Sequence, residues 1–439
     1  MAKSLIFFIF VRICLVLSFG IVKVSKMALQ NKNKIRSIVI CPDKFKGGLK
    51  SSEVASAIKE GLELYISGRK GEDSLISPEA SFRIFEMADG GDGSAELFGK
   101  LTGGKKIECE VCGPLGDNVP SGYIMSKDDG GRLSAFIECA KACGLEMVPE
   151  EDRNPLKTTT FGLGQLMLDA LERGAETICV GLGGSATNDC GSGMLQGLGF
   201  GLGLPSGVKA SGGTLSMIGS IAEPSKGIME KLRRARIIII NDVDNPLCGP
   251  NGATYVYSPQ KGANEESMAK MDKDMADLLL RCGRTSLSKT DASEAALVPG
   301  AGAAGGLGFA FMHFLGAEAV SGFHFFGDIL QGLSRAIAEA DLVISGEGSI
   351  DSQSLSGKVV GGCCSSLKEC SGSGNKRLWL FCGKGTVDKE KLAASSGGAQ
   401  VGLFQLADIE PNIKARMKRE YPLLRQLAYC AAREMDSLL

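Results

Sequence analysis

The chain has 439 residues, a length typical of two or three domains, and its 44% hydrophobic and 23% charged residues are ordinary for a globular protein. Its 49 basic and 50 acidic side chains give a net charge of −1, without the basic surplus of a nucleic-acid-binding protein, so a small-molecule ligand is favoured. With only His313 and His324 in the chain, acid–base chemistry falls to carboxylates or lysine.

Residues 1–34 precede the first segment with a fold signal. Within them, residues 5–22 are almost entirely apolar, which indicates a signal peptide or a signal anchor. Arg12 is costly at the centre of a bilayer and argues against a stable transmembrane helix, and Met27 leaves a misassigned start codon as a third interpretation. We expect a cytoplasmic protein without a stable membrane interaction in its core; organellar or membrane targeting through residues 1–26 is the alternative.

The next part of the chain predicts the start of a βαβ unit. Residues 37–41 form a β-branched strand, a Gly-bearing loop follows at residues 42–48, and helical periodicity begins after it. Residues 82–85 predict a second strand, which ends in the Asp- and Gly-rich residues 87–93. Strand, loop and helix in this order are typical of an α/β fold.

Between residues 105 and 140 the hydrophobic pattern alternates with a period of two, which predicts antiparallel strands. Cys109 and Cys112 form a CxxC there, but it lies in a strand-like run and has no second pair. We interpret most of the fifteen cysteines as buried thiols of a reducing compartment. Residues 237–240 then predict a fully buried parallel strand. The change of pattern indicates a domain boundary near residue 92.

The last part of the chain returns to alternating strands and helices. Strands are predicted at residues 341–344, 378–381 and 401–404, and a C-terminal helix at residues 411–435. We therefore predict an α/β protein of two domains, a Rossmann-like parallel-sheet domain built from both chain ends and a central mixed α/β domain. The predicted bounds of the two domains are residues 35–91 with 335–439, and residues 92–334.

Sixty glycines, about twice the usual share, cluster in short loops between apolar runs. After the apolar residues 178–180, residues 183–185 read Gly-Gly-Ser and lead into small polar residues that can open a helix. A strand that ends in such a turn at a helix start aims backbone N–H groups at one point and forms an anion site, although the glycines can also serve only to relieve strain. Asn188 and Asp189 lie in the next turn, where an oxygen-ligated cation could bind.

Five predicted strand ends lead into Gly, Asp, Asn or Ser, after residues 41, 85, 182, 240 and 344. Ligands of open α/β sheets bind at the carboxyl ends of the strands, so these loops predict one cleft that is dense in acids. Those acids are Asp43, Asp89, Asp92, Asp189, Asp242, Asp244, Glu347 and Asp351. Each could merely cap a turn, but together they imply a neutralising cation, for which Mg²⁺ bridging phosphates is the simplest candidate. Lys46 and Lys358 are the nearest cations for phosphate oxygens.

Two familiar nucleotide motifs receive little support. Residues 300–305 fit GxGxxG, but no convincing strand precedes them. They keep an NAD-dependent oxidoreductase of a small hydroxy acid as an alternative, and a non-catalytic ligand sensor is a second one. A Walker A loop is absent, because Ser352 stands where the motif before Gly357 and Lys358 needs glycine, and Val359 follows. A kinase built on this chain is not a P-loop kinase.

Eight motifs occur in order between about residues 37 and 435 and together resemble the class I glycerate kinase family. The motifs are Cys41-Pro-Asp-Lys-Phe-Lys-Gly47, Met87-Ala-Asp-Gly-Gly-Asp-Gly93, Gly113-Pro-Leu-Gly116, Gly183-Gly-Ser-Ala-Thr-Asn-Asp189, Asp242-Val-Asp-Asn-Pro-Leu247, Pro259-Gln-Lys-Gly262, Pro299-Gly-Ala-Gly-Ala-Ala-Gly-Gly306 and Asp341-Leu-Val-Ile-Ser-Gly-Glu-Gly348. The chain departs from the family's pattern at Lys44, where many relatives have Ser, and at Cys190, where Gly is usual. The N-terminal extension has no family counterpart.

The resemblance implies ATP- and Mg²⁺-dependent phosphorylation of D-glycerate, typically at the 2-hydroxyl to give 2-phosphoglycerate. It also implies a two-domain α/β fold with the active site in the cleft. D-glycerate and ATP are then the partners of the protein, and a homo-oligomer is left open.

From the chemistry of the loops we predict catalysis by positioning and charge neutralisation. The predicted site residues are Asp43, Lys46 and Asp189 for catalysis; Gly183, Gly184, Ser185, Gly302, Gly305 and Lys358 for phosphate and nucleotide; Asp89, Asp92, Asn188, Glu347 and Asp351 for substrate; and Asp242 with Asn245, or with Asn188, for Mg²⁺. Asp189 or Asp43 would orient or deprotonate the attacking hydroxyl, and Lys46 would offset transition-state charge. We expect Asp189→Asn to lose far more turnover than stability.

Overall fold

The computed structural model describes residues 34–68, 74–355, 357–370 and 376–437. Its strands are β1 (Ile35–Ile40), β2 (Ile76–Ile84), β3 (Lys105–Cys112), β4 (Asn118–Lys127), β5 (Leu133–Glu138), β6 (Thr177–Gly181), β7 (Arg236–Ile240), β8 (Glu318–Val320), β9 (Leu342–Ile350), β10 (Arg377–Gly385) and β11 (Gln400–Gln405). Its α-helices are α1 (Ser51–Gly68), α2 (Ser94–Thr102), α3 (Ala140–Cys143), α4 (Phe161–Glu172), α5 (Ser192–Gly197), α6 (Lys226–Arg234), α7 (Ala253–Tyr257), α8 (Glu265–Arg281), α9 (Ala292–Ala295), α10 (Ala303–Leu315), α11 (Gly322–Ile329), α12 (Leu333–Glu339), α13 (Val359–Glu369), α14 (Lys389–Ser395), α15 (Ile413–Lys418) and α16 (Glu420–Ser437).

The chain forms two compact units, and each contains one sheet. The first unit holds the described residues up to Met87, Gly332–Leu355 and those from Val359 onward; the second holds Ala88–Gln331 with residues 357 and 358. The first sheet contains strands from both parts of the chain, and the second lies in the middle. The α/β class and this arrangement of a parallel and a mixed sheet are as predicted, whereas the domain bounds given above stay predictions.

The sheet of the first unit is entirely parallel, in the order β11-β10-β9-β1-β2. Its central strands are apolar on both faces because helices cover them, as the fully buried Ile38, Val39 and Ile40 of β1 illustrate. On one face, α1 packs against α16. A Cβ at Gly61 of α1 would lie 2.3 Å from the carbonyl oxygen of Arg425, so this close helix contact requires glycine.

The sheet of the second unit is mixed, in the order β3-β4-β5-β6-β7-β8. β3, β4 and β5 pair antiparallel, which confirms the interpretation of the period-two pattern, and β5 to β8 pair parallel. Ile237 and Ile239 of β7 lie in a core that also contains Ile178 and Val180 of β6. The carboxyl ends of β5, β6 and β7 therefore meet at one edge of this sheet.

Two parts of the predicted secondary structure are wrong in detail. The predicted C-terminal helix is two helices, α15 and α16, because Pro422 has no N–H to donate and is tolerated only in the first turn of a helix. The strand predicted to end at Ile344 continues to Ile350, since β9 pairs with β10 along its whole length. Residue 347 consequently lies within a strand and not in a loop.

Apart from Lys34, the predicted extension over residues 1–34 lies outside the described residues. Among the helices that are described, none is long and apolar enough to cross a membrane. The described cysteines are free thiols and most of them are buried, as the cysteine pattern predicted.

Candidate active site

The candidate site includes the turn Gly183-Gly184-Ser185 that follows β6, here called the glycine turn. Gly184 is exposed and left-handed, with φ of +77°, a conformation that glycine adopts without strain. Two backbone bonds tie the turn to the segment around α3: Leu145 N–H donates to the Gly184 carbonyl at 2.8 Å, and Ala186 N–H donates to the Cys143 carbonyl at 2.8 Å. Within the described residues, the N–H groups of Gly184 and Ser185 donate no hydrogen bond. The turn therefore presents two adjacent donors to an oxyanion.

The prediction that a helix opens directly at this turn is wrong. Helix α5 begins only at Ser192, so the positive end of a helix dipole is not part of the turn. The residues between the turn and α5, 186–191, are buried instead. The hydrogen bonds of Asp189 explain why they are held there.

The carboxylate of Asp189 is fully buried and accepts four hydrogen bonds from its own unit. Its Oδ2 accepts from the N–H of Thr160 at 2.9 Å, from the Thr160 hydroxyl at 2.8 Å and from the N–H of Gly193 at 3.2 Å, and its Oδ1 accepts from the N–H of Gly191 at 3.1 Å. Burial raises the pKa of this carboxyl, while these donors oppose the rise. The observed contacts join the start of α4 to the start of α5; the role of Asp189 in catalysis stays a prediction.

Asn188 is also fully buried. Its Nδ2 donates to the Thr254 hydroxyl at 3.0 Å and approaches the sulfur of Met271 at 3.5 Å. Its Oδ1 has no hydrogen-bond partner among the residues that the structure describes. Its predicted contact with substrate or metal is not tested by these contacts.

The glycines of the GxGxxG segment pack against the backbone beside the turn. A Cβ at Gly305 would lie 2.1 Å from the carbonyl oxygen of Thr187, and one at Gly302 would lie 2.3 Å from that of Pro246. Gly302 N–H donates to the Asn245 carbonyl at 2.9 Å. Both glycines are buried, so the contacts that they make are packing contacts. Their predicted role in nucleotide binding stays a prediction.

The carboxylate of Asp242 and the backbone of Asp89, two acids predicted from different loops, lie beside Gly322 at the start of α11. Asp242 Oδ1 accepts a hydrogen bond from the N–H of Gly322 at 2.8 Å, and a Cβ at Gly322 would lie 2.7 Å from the Cα of Asp89. The loop of Asp89 also packs on the glycine turn, because a Cβ at Gly183 would lie 2.6 Å from the Cα of Gly91. The structure therefore brings the loops of Asp89, Asp242 and the glycine turn together at one edge of the mixed sheet.

The carboxylates at this edge have the donor chemistry of a Mg²⁺–nucleotide site, and the role of Asn245 as a ligand stays a prediction. Mg²⁺ is usually held by one or two carboxylates together with phosphate oxygens and water, and Asp89 and Asp242 are carboxylates of the kind that it requires. Asn245 has its amide group engaged at both ends: its Oδ1 accepts from the Tyr257 hydroxyl at 2.5 Å, and its Nδ2 donates to the Asn251 carbonyl at 2.8 Å. No cluster of three His, Cys, Asp or Glu side chains suited to a metal occurs among the described residues.

Asp92 forms an ion pair that the sequence does not predict. Lys141 Nζ lies 2.7 Å from Asp92 Oδ1 and 3.7 Å from Oε2 of Glu138, and the hydrogen bond to Asp92 raises the pKa of Lys141. Glu138, at the end of β5, is 2% exposed and its Oε1 accepts from the N–H of Ala95 at 2.8 Å. The signal that could have identified Glu138 is an acid directly after the apolar residues of a predicted strand.

Lys261 is the second residue that sequence reasoning missed. It lies in the short 3₁₀ turn Pro259–Lys261 and is 3% exposed. Its Nζ donates to the hydroxyl of Ser185 at 3.1 Å and to the carbonyl of Thr187 at 2.7 Å, so it contacts the glycine turn from the interior. Burial lowers its pKa to about 8. The motif Pro259-Gln-Lys-Gly262 contained this lysine, but its distance in sequence hid the contact.

The remaining predicted side chains, except Lys358, belong to the first unit. Asp43 is buried after β1; its N–H donates to the Gly346 carbonyl at 2.8 Å and its Oδ1 accepts from the N–H of Lys44 at 2.7 Å. Lys46 is exposed, and its backbone lies beside the strand of Glu347, since a Cβ at Gly348 would be 3.3 Å from the Lys46 nitrogen. This unit therefore gathers Asp43, Lys46 and Glu347 at one end of its sheet.

Asp351 and Lys358 are the last two predicted site residues. Asp351 Oδ1 accepts from the N–H groups of Gln353 at 2.8 Å and Ser354 at 3.3 Å, which caps the 3₁₀ turn Ser352–Leu355. Lys358 belongs to the second unit and is half-buried. The predicted roles of both residues stay predictions.

Comparison with known proteins gives a consistent result. The model of the glycerate kinase family matches residues 38–436. The Escherichia coli (strain K12) protein named glycerate 2-kinase is 42% identical over 327 residues, which cover 73% of this chain and 79% of the relative. The Bacillus subtilis (strain 168) glycerate kinase is 40% identical over 336 residues, which cover 75% of this chain and 81% of the relative.

A solved structure is similar over nearly the whole chain. The crystal structure of a Salmonella typhimurium LT2 protein assigned as glycerate kinase 2 covers 92% of this chain and 99% of its own, with a TM-score of 0.67 and 35% sequence identity. These matches confirm the resemblance found in the motifs and the prediction of a glycerate kinase, an ATP-dependent phosphotransferase. The chain belongs to the glycerate kinase family.

Proposed function

We propose that the protein transfers the γ-phosphoryl group of Mg²⁺-ATP to the 2-hydroxyl of D-glycerate and releases 2-phosphoglycerate and ADP. The observation that carries this proposal is the edge of the mixed sheet, where two unpaired backbone N–H groups of the glycine turn lie beside the loops of Asp89 and Asp242. The name of the E. coli relative, glycerate 2-kinase, supports the 2-hydroxyl as acceptor.

In this proposal the chain's own residues act by positioning. The N–H groups of Gly184 and Ser185 bind phosphoryl oxygens, and Asp89 and Asp242 would hold Mg²⁺, which would neutralise phosphate charge. The bond between the hydroxyl oxygen and the γ-phosphorus forms as the bond to the β,γ-bridging oxygen breaks. Asp43 or Asp189 is the proposed group that orients the hydroxyl and accepts its proton, as the sequence predicts.

The other finer features of the prediction belong to the same proposal. The parallel order β11-β10-β9-β1-β2 supports a Rossmann-like first domain. Lys46, exposed near the end of β1, is the proposed cation that offsets transition-state charge. The location of the active site in a cleft stays a prediction from the strand-end loops.

A coupled assay of ADP release tests the proposal. We expect release that requires ATP, D-glycerate and Mg²⁺ together, and NMR of the product should place the phosphate on the 2-oxygen. A 3-phosphorylated product would contradict the assigned hydroxyl, and L-glycerate serves as the stereochemical control.

A thermal shift comparison separates the alternatives. Stabilisation by NAD(H) but not by Mg²⁺-ATP would favour the oxidoreductase, and ligand binding without ADP release would favour a sensor.

A further inference from the structure

Lys261 is a buried cation without an acidic partner of its own. Among the described residues its Nζ forms no ion pair, and its two acceptors are the Ser185 hydroxyl and the Thr187 carbonyl, both neutral. Removing an ammonium group from water is costly unless a negative charge or several hydrogen bonds compensate it. Because Lys261 contacts the glycine turn, a compensating negative charge would bind at that turn.

The hydrogen bond to Ser185 fixes the role that this hydroxyl can play. An ammonium group only donates, so the Ser185 oxygen accepts from Lys261 and its own O–H is left to donate elsewhere. Ser185 Oγ donates to no acceptor within the described part of the chain. The Ser185 O–H and the N–H groups of Gly184 and Ser185 are therefore three donors on two adjacent residues, with a cation directly behind them.

Other titratable groups face Lys261 from two sides. Cys139 and Cys143 lie on the α3 side, and Asp189 lies beyond the turn; each favours the charged form of the lysine, while desolvation opposes it. None of them supplies a paired anion: Cys143 has a pKa raised well above that of a free thiol, and the Asp189 carboxylate is hydrogen-bonded to Thr160 and Gly193. A bound anion would therefore stabilise the charged form of Lys261.

We propose that Lys261 is a positioning residue for phosphoryl transfer, which orients the Ser185 hydroxyl toward the same phosphate oxyanion that the N–H groups of Gly184 and Ser185 bind. The inference rests on the proposed function, because the anion is taken to be a phosphate of the nucleotide. The negative charge of that phosphate completes the pairing of the buried ammonium group.

A double-mutant cycle on the full-length protein tests whether Lys261 acts through Ser185. We expect Lys261→Met to lower kcat/KM for ATP about 100-fold and Ser185→Ala about 30-fold. The double variant should be no worse than Lys261→Met by more than about threefold, because both changes remove one shared interaction. Ser185→Thr keeps the hydroxyl and is the conservative control. Independent effects that multiply in the double variant would overturn the proposal.

Proton uptake on binding supplies a readout that a merely structural role would not move. Calorimetric titration at pH 8.5, in buffers of different ionisation enthalpy, measures protons taken up with Mg²⁺ and a non-hydrolysable ATP analogue. Because a bound phosphate restores the charge of Lys261, the wild-type protein should take up roughly half a proton or more. Lys261→Met should take up correspondingly less. Equal uptake by the two proteins would count against the proposal.

Two further titrations, with inorganic phosphate and with D-glycerate, identify which anion binds at the turn. Inorganic phosphate should reproduce the difference in uptake between wild type and Lys261→Met, whereas D-glycerate alone should not. If glycerate reproduces it and phosphate does not, the turn binds the carboxylate of the acceptor and the assignment to phosphate is wrong. A wild-type protein that releases no ADP from ATP and D-glycerate would contradict the proposed function, and the phosphate titration would still test the role of Lys261.

Discussion

The two sheets carry their polar strand-end residues in different ways. In the first unit, the loop after β1 leaves Lys46 exposed, and Asp43 bonds to the residue that follows it. In the second unit, the residues around the glycine turn are joined to segments distant in sequence, Asp189 to Thr160 and Lys261 to Ser185. An exposed loop residue can be replaced with little effect on folding, whereas the glycine turn and its supports form one structure. Substitutions in the two regions should therefore separate activity from stability.

Lys46→Met should give the largest effect and should alter activity alone. We expect kcat to fall by about 10²–10³-fold, as for other groups that stabilise developing charge. The melting temperature should stay within error of wild type, because the side chain is exposed. Lys50→Met, another exposed lysine of the same loop, is the matched control and should keep normal turnover. Equal losses in both variants would indicate a general electrostatic effect of the loop.

Asp189→Asn should instead reduce stability. The amide keeps one acceptor oxygen and turns an NH₂ group toward buried donors, so we expect the free energy of unfolding to fall by about 3 kcal/mol. Urea denaturation measures this loss. The sequence predicts that this variant loses mainly turnover, and the measurement decides between the two expectations. Asp128→Asn, at an exposed ion pair with Arg132, should have no measurable effect on stability. A stable but inactive Asp189→Asn would support the catalytic assignment.

Lys261→Met should show a pH-dependent gain in stability without ligand. The folded pKa of Lys261, about 8, lies below the usual value of 10.5, so the unfolded state binds more protons between these pH values. The cost of burying the charge is therefore present in full below pH 8 and fades as the pH rises toward 10.5. At pH 7 we expect the variant to be more stable by about 1–2 kcal/mol, after allowing for two lost hydrogen bonds. Denaturation from pH 7 to 10 measures this, and a less stable variant at pH 7 would assign Lys261 a structural role.

Cys190→Gly should give the smallest effect. Cys190 has φ of +54°, a left-handed conformation that costs a residue with a Cβ about 1–2 kcal/mol. Glycine relieves this strain but loses buried thiol contacts and gains entropy in the unfolded chain, so we expect a net stabilisation of about 0.5 kcal/mol. Cys190→Ala keeps the Cβ and should not be stabilised. Thermal denaturation of the two variants side by side tests the difference.

The local hydrophobic pattern of the sequence was sufficient to predict most strands and helices, but not the contacts of the candidate site. The period-two run predicted β3 to β5, and the four isoleucines from Ile237 to Ile240 predicted a buried parallel strand, because burial imposes these periods on the sequence. The break between α15 and α16 at Arg419 was missed, although its cause, Pro422 in the first turn of α16, is local.

The contacts that build the glycine turn were not predictable in this way. Lys261 and Ser185 are 76 positions apart, and Asp189 and Thr160 are 29 apart, so no periodicity links them. The strand-end loops predicted which residues meet at a sheet edge, but not which of them face inward. The sequence therefore did not predict that the Asp189 carboxylate accepts hydrogen bonds from Gly191 and Gly193 at the start of α5.

The discontinuous first sheet also sets an order of assembly. β1 pairs with β2 and with β9, and Ala88–Gln331 of the second unit are synthesised between β2 and β9. The mixed sheet is continuous in sequence, so it can form during translation while β1 and β2 still lack their neighbour. At about 5–20 residues per second, that wait is of the order of tens of seconds. Over this interval the unpaired edge of β1 can pair with other chains. We therefore expect chaperones to bind the first unit during synthesis.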